Sequence, residues 1–519
     1  MGATTTSTLE ITEESIDKAE ESKPEDAEAR PNPRVRSWYT HIMLIHLSEF
    51  GAEAARGLVL PTLFTYVQEL GGGLEDIGLL TALFSVGRFF SSLLFGWLCD
   101  RTSFRVLYNA AGVCAVVGNV LYILPYSPLV HSRTVLALSR FVIGFGAGNR
   151  SVCRANIAML TRVDQRLQYF TLFATVVFLA YALTPGLGSI VGDTQVEVVG
   201  SLIQFNRFTA PGFLLVALNL ITILFNNLIY DDSISRDDAP VSSTRTSSTK
   251  SNGKELRIDL ERDEIERAQP ILSDHAVTVG ILVFIFLNFN ARGILSIFET
   301  VNVPLFLEMT NRNTTAEQKS VEATEQASAF YLAVGLLGLI SYGSVQSLRK
   351  KVSDVSFLLF GFSTLLVGNA ILLYLCAHMH VNNDRSDDID EAHTQSQFNT
   401  FVVAEIFVWS VGCPLTSAVV VSAFSKVLGS RPQGLLMGIF GASASVARMV
   451  MPFLPSLVAS WALLFLVSMT LCGICLVVLS LHLGFLSRQH TSGEKTTVTY
   501  NSVQLHSDGP EQAEITLKQ

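Results

Sequence analysis

Charge is scarce in this 519-residue chain: 16% of its residues are Asp, Glu, Lys or Arg, against 49% hydrophobic, and the mean hydropathy is +0.40. A water-soluble chain of this length needs more charge to cover its surface. No cluster of Lys and Arg with interleaved aromatics occurs, so a nucleic-acid surface is excluded. The 7 cysteines fall inside or at the edge of apolar runs and no loop carries a pair, so no structural disulfide is expected. Cys472 and Cys475 have CxxC spacing but sit mid-run, where packing is their expected role. The first 36 residues hold no apolar h-region, so no cleavable signal peptide is expected. No P-loop, metal-ligand spacing or nucleophile constellation is present. That argues against an ATP-driven pump and against an enzyme, and calls for neither cofactor nor metal.

What the chain does have is long apolar runs, each long enough for roughly 30 Å of hydrocarbon. Inside a bilayer only helices or a closed barrel satisfy the backbone, and runs of this length favour helices. The runs predict an all-α, polytopic membrane protein with twelve spans: 39–68, 75–98, 105–126, 134–158, 167–192, 209–230, 274–307, 327–346, 355–378, 400–424, 434–457 and 460–486. Residues 1–36 and 487–519 read as disordered tails. The polar stretch 231–273 reads as a linker dividing bundle 37–230 from bundle 274–486, with a short surface helix over Glu255–Ala268.

Basic residues collect on one side of the short loops: Arg34, Arg36, Arg101, Arg105, Arg162, Arg166, Arg349, Lys350, Lys351, Lys426, Arg431 and Arg488. The other side carries Glu69, Glu75, Asp76 and the acidic run from Asp384 to Glu391. The positive-inside rule then places both termini and the linker in the cytoplasm. The sequon at Asn313 falls on the far side, where it is open to glycosylation. Tyr500-Asn501-Ser502-Val503 has the tyrosine-plus-bulky-residue pattern of an endosomal sorting signal, so sorting adaptors are candidate partners.

The halves echo each other. Span five ends in Thr184-Pro185-Gly186-Leu187-Gly188-Ser189-Ile190-Val191 and span eleven in Met451-Pro452-Phe453-Leu454-Pro455-Ser456-Leu457-Val458, with proline, leucine, serine and valine in register. That fits a parallel duplication. After span two the chain reads Gly96-Trp97-Leu98-Cys99-Asp100-Arg101-Thr102-Ser103-Phe104-Arg105. Gly96, Asp100, Arg101 and Arg105 resemble the signature of the major facilitator superfamily, with Thr102-Ser103 where that family has glycine. Arg140 to Gly148 resembles its arginine-plus-glycines pattern in span four. The resemblance implies two six-helix bundles and solute transport. It also implies gating by Gly96, Asp100, Arg101 and Arg105, joined by Arg154 and Arg448, with Asp100 near the end of span eleven or near a basic partner such as Arg154. Four further stretches, Gly144–Arg154, Phe298-Glu299-Thr300 with Pro304, Ser425–Gly434 and Ala442–Pro452, are similar to the lysosomal, ceroid-lipofuscinosis branch and the related SPX-type vacuolar transporters. A lysosomal or vacuolar membrane is therefore favoured over the plasma membrane.

Charges inside spans are costly and mark function. Span one holds Glu49, Glu53 and Arg56, whose spacing puts them on one helix face. Span two holds Arg88, span four Arg140, Arg150 and Arg154, span seven Arg292 and Glu299, span ten Glu405, and span eleven Arg448. In the fold implied, spans one, four, seven and ten line the cavity. The excess of arginine there points to an anionic small solute, with Glu49, Glu53, Arg56, Arg140, Arg292, Glu299 and Glu405 as substrate or ion ligands, and Glu49, Glu53 or Glu299 as proton acceptors. The competing reading has Glu49, Glu53 and Arg56 neutralising one another. Arg140, Arg150, Arg154 and Arg448 then form structural pairs or snorkel on the cytoplasmic side. The function expected is secondary transport of a small solute by alternating access. The alternatives are an anion channel of an endolysosomal or vacuolar membrane and a non-transporting receptor.

Overall fold

The computed structural model describes residues 33–188, 195–200, 203–234, 274–310, 319–382, 391–429, 431–458 and 460–507. The chain is helical at all twelve expected positions. The first half comprises α1 (Pro33–Gly57), α2 (Leu60–Glu69), α3 (Leu74–Cys99), α4 (Phe104–Ile123), α5 (Arg133–Gly146), α6 (Asn149–Leu160), α7 (Arg166–Gly188) and α8 (Ala210–Ile229). The second comprises α9 (Asp274–Thr310), α10 (Lys319–Leu348), α11 (Asp354–Asn382), α12 (Glu391–Glu405), a π-helix over Ile406–Gly412, α13 (Cys413–Leu428), α14 (Gly434–Val450), α15 (Leu454–Leu457) and α16 (Trp461–Ser507).

Among the described residues, 9 helices are long and apolar enough to cross a bilayer. The three other expected spans fall short of that measure for visible reasons. Span one carries Glu49, Glu53 and Arg56 and breaks after Gly57, because Pro61 has no N–H to give the Gly57 carbonyl. Span four breaks at Ala147-Gly148 into two short helices with arginine in each. Span five is apolar only over Arg166–Ala180. Span ten holds a second irregularity. Pro414 cannot donate to the Ser410 carbonyl, so the Ser341 hydroxyl does so at 2.7 Å, and the π-helix stands just before the proline. Cys413-Pro414 thus follows directly on a wider turn.

Three boundaries differ from the sequence reading. Helix begins at Pro33 rather than after residue 36. Residues 196–205, read as connector, form an antiparallel hairpin of β1 (Val196–Val199) and β2 (Ile203–Phe205), with Val196 opposite Phe205. Gly200 turns it at φ 50°. The last helix runs past its apolar part, Trp461–Leu486, to Ser507, since no proline stops it. The stretch Glu255–Ala268, Asn313 and the end of the span-five motif lie outside the described residues, as do the side chains of Tyr500–Val503.

Within the first half α3 packs on α5, and α4 on α5 and α8; within the second α9 packs on α13 and α14, and α11 on α16. The halves meet along α3–α14, α7–α13 and α7–α10. Large apolar side chains such as Leu228, Ile340, Phe360 and Leu481 point outward. In water that surface would aggregate; in a bilayer it is the lipid-facing coat. The ends bearing Arg101 and Arg431 form one face of the molecule, here termed the basic face; Asp76 and Arg133, paired at 3.1 Å, mark the opposite face.

Candidate functional site

Glu49, Glu53 and Arg56 of α1 share a helix face but not a partner. Glu49 and Glu53 are fully buried and turn to arginines of their own half. Glu49 accepts from Arg150 Nε of α6 at 2.6 Å, Glu53 from Arg150 Nη2 at 2.8 Å, and Glu53 also pairs with Arg88 of α3. Two carboxylates and two guanidiniums thus neutralise each other inside the first half. Arg56, one turn on, crosses to the second half and meets Glu299 Oε2 of α9 at 3.2 Å. Glu299 Oε1 is held in turn by Arg448 Nη2 of α14 at 3.1 Å. The expected mutual neutralisation of Glu49, Glu53 and Arg56 is therefore replaced by two separate networks.

The second network forms part of the wall of a cavity of about 730 Å³. Arg56, Arg292, Glu299 and Arg448 give it charge, Thr81, Ser296, Asn302 and Ser417 hydrogen-bonding groups, and Tyr331, Tyr342, Trp409 and Phe178 an aromatic wall. Arg292 also donates to the Ser417 carbonyl at 3.4 Å. The volume suits a small solute. Three guanidiniums and one carboxylate leave the wall positive, which favours an anion. The lining reaches Gly78, near the start of α3, and Pro452-Phe453, beyond the far end of α14, which lie on the opposite face.

On the basic face the halves are locked together. Asp100, at the end of α3, accepts the Gly434 and Leu435 N–H groups that open α14. Behind it Gly96 lies so near Gly438 that a Cβ on Gly96 would stand 2.6 Å from the Gly438 Cα. Arg166, at the start of α7, donates to the Ser425 carbonyl at 2.6 Å and to the Gly429 carbonyl at 2.9 Å, capping the end of α13.

The description of the Major Facilitator Superfamily matches residues 45–383. The chain belongs to that superfamily. It is a multi-pass membrane transporter. Over 458 residues it is 24% identical to the Major facilitator superfamily domain-containing protein 8 of Xenopus laevis, covering 81% of this chain and 85% of that one. Over 267 residues it is 26% identical to an SPX domain-containing membrane protein of Oryza sativa subsp. indica, covering 51% of this chain and 35% of the relative. The chain thus spans about a third of the length of the rice protein. These relatives are the branch its motifs resemble. In three dimensions it superposes on the proton:xylose symporter XylE with a TM-score of 0.61 at 11% identity, covering 85% of this chain and 95% of that one. On the human organic anion transporter MFSD10 the TM-score is 0.55 at 16% identity, covering 87% and 100%. At such identities the likeness is one of fold.

Against the superfamily's architecture the expected site residues divide. Arg56, Arg292 and Glu299 come together in the cavity, as does Arg448, expected at the gate on the cytoplasmic side. Arg448 lies in the last turn of α14, away from the basic face where that helix starts, which is why it reaches Glu299. Glu49 and Glu53 belong to the buried network instead. Arg140, expected like Arg448 towards the end that carries the basic loops, does not lie at the basic face either. It stands on α5, the helix that starts from Arg133 at the opposite face, and packs over the Phe84 ring at 5.0 Å. Glu405 is buried at the end of α12, beside the lining but not in it. Of the expected gating residues Gly96 and Asp100 touch the second half, and Arg154 reaches it over the Phe440 ring at 5.4 Å. Arg101 stacks on Trp97 at 4.1 Å, and Arg105 donates to the Asn227 carbonyl, so both serve the first half alone. Asp100 meets the start of span eleven, and Arg154 is not its partner. The sequence reading missed Arg166 as a contact between halves and Tyr331, Tyr342 and Trp409 as cavity wall; aromatic residues in apolar runs give no local signal of which way they face.

Proposed function

We propose that the protein is a secondary transporter that carries a small anion by alternating access, with Arg56, Arg292 and Arg448 as the anion ligands. The observation that carries this reading is Glu299, held by Arg56 of one half and Arg448 of the other on the wall of the cavity. Its carboxylate occupies the place an anionic solute takes. An entering anion competes for both guanidiniums, and because they come from opposite halves its binding changes what holds the halves together. Arg292 adds charge beside them. The packed basic face and the lining that reaches the opposite face support one end state of a rocking cycle; the other end state breaks the Asp100 and Arg166 contacts.

The positive-inside rule supports assigning the basic face, with both termini, to the cytoplasm. The branch resemblance supports a lysosomal or vacuolar membrane, with Tyr500–Val503 as the adaptor signal and Asn313 glycosylated on the lumenal side. The organic anion named for MFSD10 belongs to that protein and agrees with the chemistry argued here. The reading is tested by uptake into liposomes holding the purified protein, with chloride, inorganic phosphate, lactate, glutamate and glucose as probes. Saturable uptake of one or more anions but not of glucose is expected. Uptake of glucose alone, or of none of the five, overturns the reading, and a large unitary conductance replaces it with a channel.

A further inference from the structure

We propose that Glu405, and not Glu299, is the proton-carrying group of this transporter, through its place at the mouth of the π-helix whose Trp409 forms part of the cavity wall. The proposal deepens the transport reading above and rests on it. Among the described residues, Glu49, Glu53, Glu299 and Glu405 are acids in the interior of spans, and they divide by partner. Glu49 and Glu53 face Arg88 and Arg150, and Glu299 faces Arg56 and Arg448. Glu405 is fully buried, and neither of its oxygens has a hydrogen-bond partner among the described residues.

An unpaired carboxylate in hydrocarbon is far costlier than the neutral acid. A glutamate held by two guanidiniums has, in those partners, a standing preference for its charged form that an acid without a cation lacks. The proton that a buried acid can take up and give back is thus assigned to the one acid without a cation.

The surroundings of Glu405 agree. Among the described residues, the Tyr331 hydroxyl of α10 and the Cys413 thiol of α13 lie within its electrostatic reach, and neither brings positive charge. Tyr331 is already committed, donating to the Asn302 carbonyl at 2.8 Å. Helix α12 packs on α11, α9 and the π-helix. The charged groups of α9 are engaged elsewhere: Asp274 with Arg431, Arg292 with Ser417, Glu299 with its two arginines and Glu308 with Trp461. On α11, Asp354 binds Lys426 at 2.6 Å and the Ser422 hydroxyl at 2.7 Å, the Tyr374 and His378 rings lie 4.1 Å apart in a tilted contact, and Cys376 is a buried free cysteine. The π-helix itself bears no titratable side chain.

Position supplies the coupling. Glu405 is the residue before the π-helix, and the turn that follows is tied to α10 by side chains rather than by a full backbone ladder: Ser341 donates to the Ser410 carbonyl, and the Ser410 hydroxyl to the Val334 carbonyl. Once Glu405 gives its proton to water, the bare carboxylate needs solvent or a cation. The element that must give way to admit either is this turn, and with it Trp409 on the cavity wall. Proton release and reshaping of the solute cavity are then one event.

The test reads the proton itself and needs no solute. Infrared spectra of the purified full-length protein in lipid vesicles at neutral pH are expected to show the carbonyl stretch of a protonated carboxylic acid, shifting on exchange into heavy water. E405Q is expected to lose that band and E299Q to keep it. A band that survives in E405Q, or one that vanishes in E299Q, overturns the proposal. Should E405Q fail to fold, E405D serves in its place: the band must move in frequency, and an unmoved band overturns the assignment. Because no transported anion is involved, this result stands apart from the liposome panel, which tests the transport reading by itself.

Discussion

The carboxylate of Asp100 in the first half accepts the Gly434 N–H of the second at 2.9 Å. Its other oxygen takes the Leu435 N–H at 2.8 Å, so one acid satisfies two of the free donors at the start of α14. Asp100 ends α3, where its own helix presents the negative pole, and it is the positive pole of α14 that makes this placement favourable. Separating the halves loses that compensation.

Asp100→Asn keeps the shape and removes the charge. Charge–helix interactions of this kind contribute about 1 kcal/mol, which is roughly a fivefold shift from the closed towards the open basic face. A cysteine placed at Ser92, buried beneath the seam, in a background without native cysteines reports it. Its labelling from the basic face should speed up by about that factor. Unchanged labelling removes Asp100 from the gate.

Arg166 works on the neighbouring helix with the opposite sign: a cation on the carbonyl end of α13. Arg166→Gln gives up charge-assisted hydrogen bonds worth about 1.5–3 kcal/mol each. It should open the same face, and the double variant with Asp100→Asn should label faster than either alone. If Arg166→Gln labels like wild type, the α7–α13 contact is packing and not latch.

Gly96→Ala probes closure by shape alone. The added Cβ meets the Gly438 backbone, and backbone cannot swing aside as a side chain can. The variant should fold, because each half keeps its own contacts, and should stay open on the basic face with transport lost. Normal transport by Gly96→Ala shows that the seam need not close this tightly.

The spans were legible because hydropathy and length suffice for them. Asp100 was legible as an acid at a helix end that needs a partner, but not the partner itself: it takes the N–H groups that start span eleven, not the end of that span or Arg154. The pairing of Arg56 was not. Local spacing set it against Glu53 on the same helix face, but the partner it meets is Glu299, 243 residues away in the other half. Nothing in either neighbourhood encodes that contact; the packing of the two halves does. The depth of Arg140 and Arg448 was misread for a related reason, since a charge in a span tells that it is buried but not at which end it is used. The π-helix was not read from the sequence: Pro414 breaks the ladder locally, but the Ser341 hydroxyl that mends it lies on another helix.

The Glu49–Glu53–Arg88–Arg150 network should behave as scaffold. Glu53→Gln leaves two guanidiniums facing one carboxylate, a loss of about 3–5 kcal/mol of the kind seen when a buried pair is halved. Thermal unfolding in detergent should drop accordingly, and adding Arg88→Met should recover part of the loss. A Glu53→Gln protein as stable as wild type contradicts the assignment.

The central claim is that the guanidiniums around Glu299 bind the solute, and the most direct measurement is initial anion uptake by Arg56→Gln and Arg292→Gln proteins in liposomes, at matched protein content and with unfolding temperatures checked. The account predicts that each loses at least about tenfold, the effect of roughly 1.4 kcal/mol, while Arg105→Gln, on the first-half surface, transports normally. Wild-type uptake by either cavity variant contradicts it: the arginines would then be structural, and the anion reading would fall with them.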